Sequence, residues 1–214
     1  MTRVNVGCGM SAIPGWVNLD NSFSVKLAKR PLLASLMFKL KLLNAAQMDY
    51  IQYCRKSTVR WADATNRIPL ADDSAEVLYS SHMLEHLDRS RVPLFLREAK
   101  RVLTPGGLIR LAVPDIAQLV NAYLAHGDAD KLIDSSLMSF GDVRGLRQWL
   151  ELLIVGTRHH KWMYDGNSLS ALLRTAGFAN VVALKAGETR IKDTVGLDLY
   201  ERSEESVYVE ATKP

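Results

Sequence analysis

Seven short apolar stretches recur along the chain, at residues 4–6, 16–19, 59–62, 77–80, 108–113, 181–184 and 207–210. Each has the length and β-branched content of a buried strand. Helical periodicity separates some of them. Between the fourth and fifth, Val92, Phe95, Leu96, Ala99, Val102 and Leu103 repeat at i, i+3, i+4, with Arg97, Glu98, Lys100 and Arg101 on the opposite side. Asp88 or Ser90 can cap this helix, and Thr104-Pro105-Gly106-Gly107 stops it. A second helix fits 168–176, with Asn167 as cap, Leu169, Leu172 and Leu173 inward and Gly177 at its end. Strands alternating with helices imply an α/β fold: a doubly wound, mostly parallel sheet covered on both faces. With 214 residues and no linker or repeat, the chain reads as a single domain, 1–214.

Two stretches interrupt the alternation. Residues 32–46 are apolar almost all round a helical wheel, with Pro31 just before them. They lie in a segment, 24–60, that holds eight basic side chains against the single acid Asp49, whereas the rest of the chain carries a net −3. Residues 116–164 form a long insert after the fifth strand, ending in His159-His160-Lys161-Trp162-Met163-Tyr164-Asp165. Ligands of open α/β sheets lie at the carboxyl ends of the strands, where long connections can cover them. The inserts are therefore expected to be a basic, apolar lid (24–58) and an acceptor cover (116–166). A peripheral membrane contact through 24–60 is the other use of such a segment.

The bulk composition excludes several classes. Two cysteines, Cys8 and Cys54, make no disulfide framework, so a reducing compartment is expected. Met1-Thr2-Arg3 leads straight into a strand and leaves no room for a signal peptide. No apolar run reaches the roughly 20 residues that span a bilayer, so the expected address is cytoplasmic. The basicity is confined to one segment without aromatic or glycine-rich interleaving, so no nucleic-acid partner is expected.

The first strand carries the chemistry. Val4-Asn5-Val6 enters the turn Gly7-Cys8-Gly9, and the next short strand ends on Asp20. Glycines let a ligand approach the backbone, and a carboxylate at a strand end can accept two hydrogen bonds from a ribose diol. The pattern describes a nucleoside whose tail lies over the first turn. Only eleven positions separate Gly9 from Asp20, and Pro14-Gly15 breaks them, so a loop is expected where dinucleotide sites have a helix.

The order of Val-Gly-Cys-Gly, Asp20, Trp-Ala-Asp-Ala (61–64), Ser-Ser-His-Met-Leu-Glu-His-Leu (80–87), Arg-Val-Leu-Thr-Pro-Gly-Gly (101–107) and Ala-Gly-Phe (176–178) resembles the class I S-adenosylmethionine-dependent methyltransferases. It is most similar to the ubiE/type 11-like subgroup with a shortened glycine loop, often associated with surface-sugar biosynthesis. The resemblance implies a Rossmann-like methyltransferase fold of seven strands, the last antiparallel. It implies S-adenosyl-L-methionine as cofactor and S-adenosyl-L-homocysteine as product. Gly7, Cys8 and Gly9 would offer backbone N–H groups to the methionyl carboxylate as an anion nest. Asp20 would take the ribose hydroxyls, Asp63 the adenine amino group and the Ala64 N–H the ring, with Ser81 and His82 beside the sulfonium. Cys8 reads as a small turn residue, not a nucleophile.

The acceptor is expected to be a saccharide or small polar metabolite methylated on oxygen, for which His160 is the first choice of base and His82 the second. His159, Lys161, Trp162 and Tyr164 are the expected substrate residues, Trp162 by stacking. A catalytically silent, cofactor-binding partner is the alternative from another class. His82-Met83-Leu84-Glu85-His86 also spells the H-x-x-E-H of some zinc peptidases. That reading, a zinc hydrolase through His82, Glu85 and His86, needs a third ligand downstream and a helical setting. No metal is expected; Glu85 and His86 are expected to brace the loop after the fourth strand by hydrogen bonds.

Overall fold

The computed structural model describes residues 2–139 and 159–214. All seven expected strands are present: β1 (Thr2–Val6), β2 (Val17–Asp20), β3 (Val59–Trp61), β4 (Ala75–Ser81), β5 (Leu103–Pro114), β6 (Ala179–Leu184) and β7 (Ser206–Thr212). They form one sheet in the order β3-β2-β1-β4-β5-β7-β6. Pairs from β3 through β5 are parallel, and β7 runs antiparallel to both β5 and β6. The order reverses at β1, the crevice where α/β sheets bind ligands.

The period-two alternation along the strands divides the core between the two faces. Leu78 of β4 and Ile109, Leu111 and Val113 of β5 join the larger cluster. Val77, Tyr79 and Leu108 point the other way, against Ile13, Trp16, Ile191 and Leu197. On the larger side lies α4 (Val92–Val102), which buries Val92, Phe95, Leu96, Ala99 and Val102, its expected stripe. Its start differs from expectation: no side chain caps it, and the Arg91 N–H bonds the Asp88 carbonyl instead. The helix α7 (Gly166–Thr175) begins earlier than expected. Asp165, not Asn167, caps it in a reciprocal box with Ser168, and Gly177 ends it at φ +80°.

The segment 24–58 is the crossover between β2 and β3, folded as α1 (Phe23–Ala28), α2 (Pro31–Lys39) and α3 (Ala45–Lys56). The apolar run 32–46 is broken where Asn44 opens α3 through a capping box with Gln47. Leu27, Ala34, Leu43 and Ile51 fuse the three helices, while Val25 and Cys54 bind them to Cys8 and Val59. Leu32, Leu36 and Leu40 remain exposed. The insert after β5 contains α5 (Ile116–His126) and α6 (Ala129–Ser136); its portion 140–158 lies outside the described residues. Its two ends are tied, Asp115 bridging to Tyr164 and the Ile116 N–H donating to the Tyr164 carbonyl at 2.9 Å. Among the described residues no helix is long and apolar enough to cross a membrane.

Candidate active site

The turn after β1 returns to β2 through a loop with no helix, as its length and Pro14-Gly15 suggest. Gly7 has φ +71°, and a Cβ there would lie 2.4 Å from Met83 Cγ, so the turn can approach the segment after β4 only with glycine. The loop's amides depart from expectation. Gly7 N–H and Cys8 N–H both donate to the Leu19 carbonyl, at 2.8 and 3.1 Å, and Gly9 N–H donates to Asp20 Oδ2 at 3.1 Å. They do not form an anion nest. Because no helix follows, the chain folds straight back onto β2, and the orphan N–H groups are satisfied at its end. Burial, with the Asp20 charge nearby, pushes the Cys8 thiol up to about 12, so it stays protonated.

Asp20 also accepts from Ser22 N–H at 2.8 Å. Two amides on one carboxylate leave about half of its four acceptor positions for a ligand. Asp63 stands beyond β3, in the next loop. Its Oδ1 accepts from Thr65 N–H and Oγ–H, at 3.0 and 2.7 Å, and Oδ2 pairs with Arg91 at 2.8 Å. Burial raises its pKa, but these bonds outweigh it and hold the carboxyl below the usual range. Ala64 beside it is buried. At the carboxyl end of β4, Ser81 Oγ is buried without a hydrogen bond. An orphan hydroxyl there and a half-used carboxylate on β2 suit a ligand lying across the switch point of the sheet.

After β4 the chain turns at His82 (φ +49°) into a 3-10 turn at Leu84–His86. His82 Nδ1 accepts from Arg202 and Nε2 pairs with Ser206 Oγ, both at 2.9 Å, so both ring nitrogens are engaged. Glu85 is fully buried, and neither carboxylate oxygen accepts a hydrogen bond. The expected bracing comes from its backbone carbonyl instead, which takes the N–H groups of Lys161 and Trp162 at 2.7 and 3.2 Å. Thus the far end of the insert is laid on the turn, and His160 is brought against Glu85. Three imidazoles surround Glu85 Oε1: His82 Nδ1 at 3.4 Å, His86 Nε2 at 3.8 Å and His160 Nε2 at 3.9 Å.

Within the polar-aromatic run, His160 is buried, and burial pushes its pKa down against the pull of Glu85, so the ring is neutral near pH 7. His159 is half-buried, and its carbonyl accepts from His86 Nδ1 at 3.1 Å. Lys161 pairs with Asp88 at 3.0 Å. Trp162 is exposed, with the Arg89 guanidinium 5.0 Å from its ring centre. Tyr164, expected to meet substrate, belongs to the core with no exposed surface, where the return of the insert to the sheet places it. Arg202 and Ser206, which orient His82 from 120 and 124 residues away, carry no signal in the sequence. Glu85 and His86 stood in the H-x-x-E-H string, but its partner on the insert could be found only in three dimensions.

A search of curated proteins finds no match to the sequence. Solved structures match the fold. One is a Thermotoga maritima S-adenosylmethionine-dependent methyltransferase, described as a possible histamine N-methyltransferase. It has a TM-score of 0.56 at 16% identity, over 100% of this chain and 82% of that one. A Methanosarcina mazei S-adenosylmethionine-dependent methyltransferase gives 0.52 at 15%, over 99% and 92%. A complex of the Haloferax volcanii Trm112 methyltransferase activator with a methyltransferase gives 0.52 at 14%, over 100% and 82%. The sequence model of the family described as "Methyltransferase domain" matches residues 4–111, from β1 through most of β5. With that match over half its length, the chain belongs to the methyltransferase-domain family, as an S-adenosylmethionine-dependent methyltransferase of Rossmann-like fold.

Proposed function

We propose that the chain methylates a hydroxyl of a sugar or another small polar metabolite. S-adenosylmethionine supplies an electrophilic methyl group on a sulfonium, so the protein's task is alignment, exclusion of water and removal of the acceptor proton. On this reading Asp20 holds the ribose, Asp63 and Ala64 border the adenine, and Gly7, Cys8 and Gly9 floor the methionyl part. Ser81 and His82 flank the sulfonium, Ser81 with its spare hydroxyl and His82 as a ring held at both nitrogens. The segments 24–58 and 116–166 cover the cleft from two sides. His159, Lys161 and Trp162 border the acceptor, Trp162 offering an exposed ring face.

The observation that carries the reading is the neutral His160 beside Glu85 at the carboxyl end of β4. A hydroxyl needs a proton acceptor near neutral pH, and an imidazole backed by a carboxylate is one. His82 is the weaker candidate because both of its nitrogens are already bonded. The test is release of S-adenosylhomocysteine with a panel of saccharides and hydroxylated metabolites. His160→Ala is expected to lower turnover about 10²–10⁴-fold, with cofactor affinity nearly intact. Transfer only to amines or carboxylates, or full turnover in His160→Ala, overturns the reading.

A further inference from the structure

We propose that Glu85, His86 and His160 form a binding site for one divalent metal ion of the zinc, cobalt or manganese class. Their ligand atoms lie within 4.8 Å of one another, and Glu85 and His160 are buried while His86 is half-buried. The hydrogen bonds around them fix which atoms are available. A carbonyl oxygen can only accept, so the His86 Nδ1 bond to the His159 carbonyl makes Nδ1 the protonated nitrogen. Its Nε2 therefore presents a lone pair to Glu85, the arrangement typical of a metal-bound histidine oriented by a backbone carbonyl. His160 Nε2 faces the same carboxylate oxygen, and the two rings meet edge to face with centres 5.1 Å apart.

Both Glu85 oxygens are buried and accept no hydrogen bond, an unfavourable state for a carboxylate with no cation beside it. At 3.8 and 3.9 Å the imidazoles are too far away to satisfy it directly. Ligands on a common ion at about 2.0–2.2 Å stand about 3.0–3.5 Å apart, so each imidazole must close on Glu85 by less than about 1 Å, and the widest pair of the set, within 4.8 Å, by no more than about 2 Å. Two imidazoles and one carboxylate, with coordination positions left over, match the donor sets of catalytic zinc and of facial-triad sites. His82 is not a ligand, because Arg202 occupies its Nδ1 and Ser206 its Nε2. The H-x-x-E-H string is thus used through its last two residues, and the downstream ligand comes from the insert. The site is preformed by backbone ties: the Glu85 carbonyl holds Lys161 and Trp162, and the His159 carbonyl orients His86.

The experiment uses the full chain without an affinity tag, stripped with EDTA and titrated calorimetrically with Zn²⁺, Co²⁺ and Mn²⁺. One ion per chain is expected, with affinity falling at least about tenfold in Glu85→Gln and in His160→Ala but retained in His82→Ala. Should a variant fail to fold, electron paramagnetic resonance of the Cu²⁺-loaded wild type replaces it, and superhyperfine splitting from two imidazole nitrogens is expected. No stoichiometric ion in the wild type, or no nitrogen coupling, overturns the site. A role for the ion in activating the acceptor rests on the O-methylation reading. The two roles of His160 exclude each other: loss of turnover in EDTA assigns it to the ion as a ligand, whereas turnover indifferent to EDTA assigns it to the free-base role. An ion that binds to a chain inactive on every hydroxyl acceptor leaves the site standing and removes only that reading.

Discussion

Asp20 is already bonded to two amides, Gly9 and Ser22, and this makes it a rigid ligand rather than a mobile one. On the proposed reading its remaining acceptor positions are aimed before a ribose arrives, so little side-chain entropy would be lost on binding. Asp20→Ala is expected to weaken S-adenosylhomocysteine binding by about 1.5–3 kcal/mol, the range for hydrogen bonds to a charged group. Isothermal calorimetry checks it, and equal affinity in the variant removes Asp20 from the cofactor site. The place of Asp20 at the end of β2 was legible because a carboxylate ending a strand beside a glycine turn is a local pattern. The state of the three loop amides was not, since their acceptors, the Leu19 carbonyl for Gly7 and Cys8 and the Asp20 carboxylate for Gly9, are set by how β2 pairs with β1. Tyr164 failed for a similar reason: a run of polar and aromatic residues shows composition, not which ring turns inward.

At the scale of elements, every strand was legible because β-branched alternation is a backbone-level signal. So was the buried stripe of α4. The boundary between α2 and α3 was missed although its signal was present, since Asn44 and Gln47 have capping-box spacing within an otherwise unbroken apolar run. The helix α2 raises a separate question. It leaves Leu32, Leu36 and Leu40 in solvent, within a segment rich in Lys and Arg. Apolar area beside basic side chains suits an anionic bilayer surface, at about 1 kcal/mol for each cation near the headgroups. Co-sedimentation with phosphatidylserine vesicles is expected, weakening as salt is raised and lost in Leu36→Glu. Absence of binding at low salt removes the bilayer role from these leucines.

For the whole molecule, the acid limit of stability follows from carboxylates paired across elements. Glu98 of α4 is held below the usual range, first by its hydrogen bonds from Arg101 against the cost of burial, and also accepts from the Ile68 N–H. Asp63 and Asp165 are held low as well. A folded pKa below the unfolded one, about 3.9–4.3, means that the unfolded chain binds more protons. Their contribution is therefore complete above about pH 5 and is lost as pH falls through the folded values. Urea melts between pH 3 and 7 should show this slope, and Glu98→Gln should flatten part of it while costing about 1–3 kcal/mol at neutral pH. An unchanged slope assigns the acid limit to other groups. The overall topology was legible from the strand and helix alternation together with the family resemblance, whereas the Glu85 cluster joins the turn after β4 to His160, 75 residues beyond Glu85, and only its first two members left a local trace. That insert leaves and rejoins the sheet at one bridge, Asp115 to Tyr164. If the proposed acceptor role holds, moving everything between those two residues from one relative to another, with the hinge pair intact, would transfer acceptor preference together with His160.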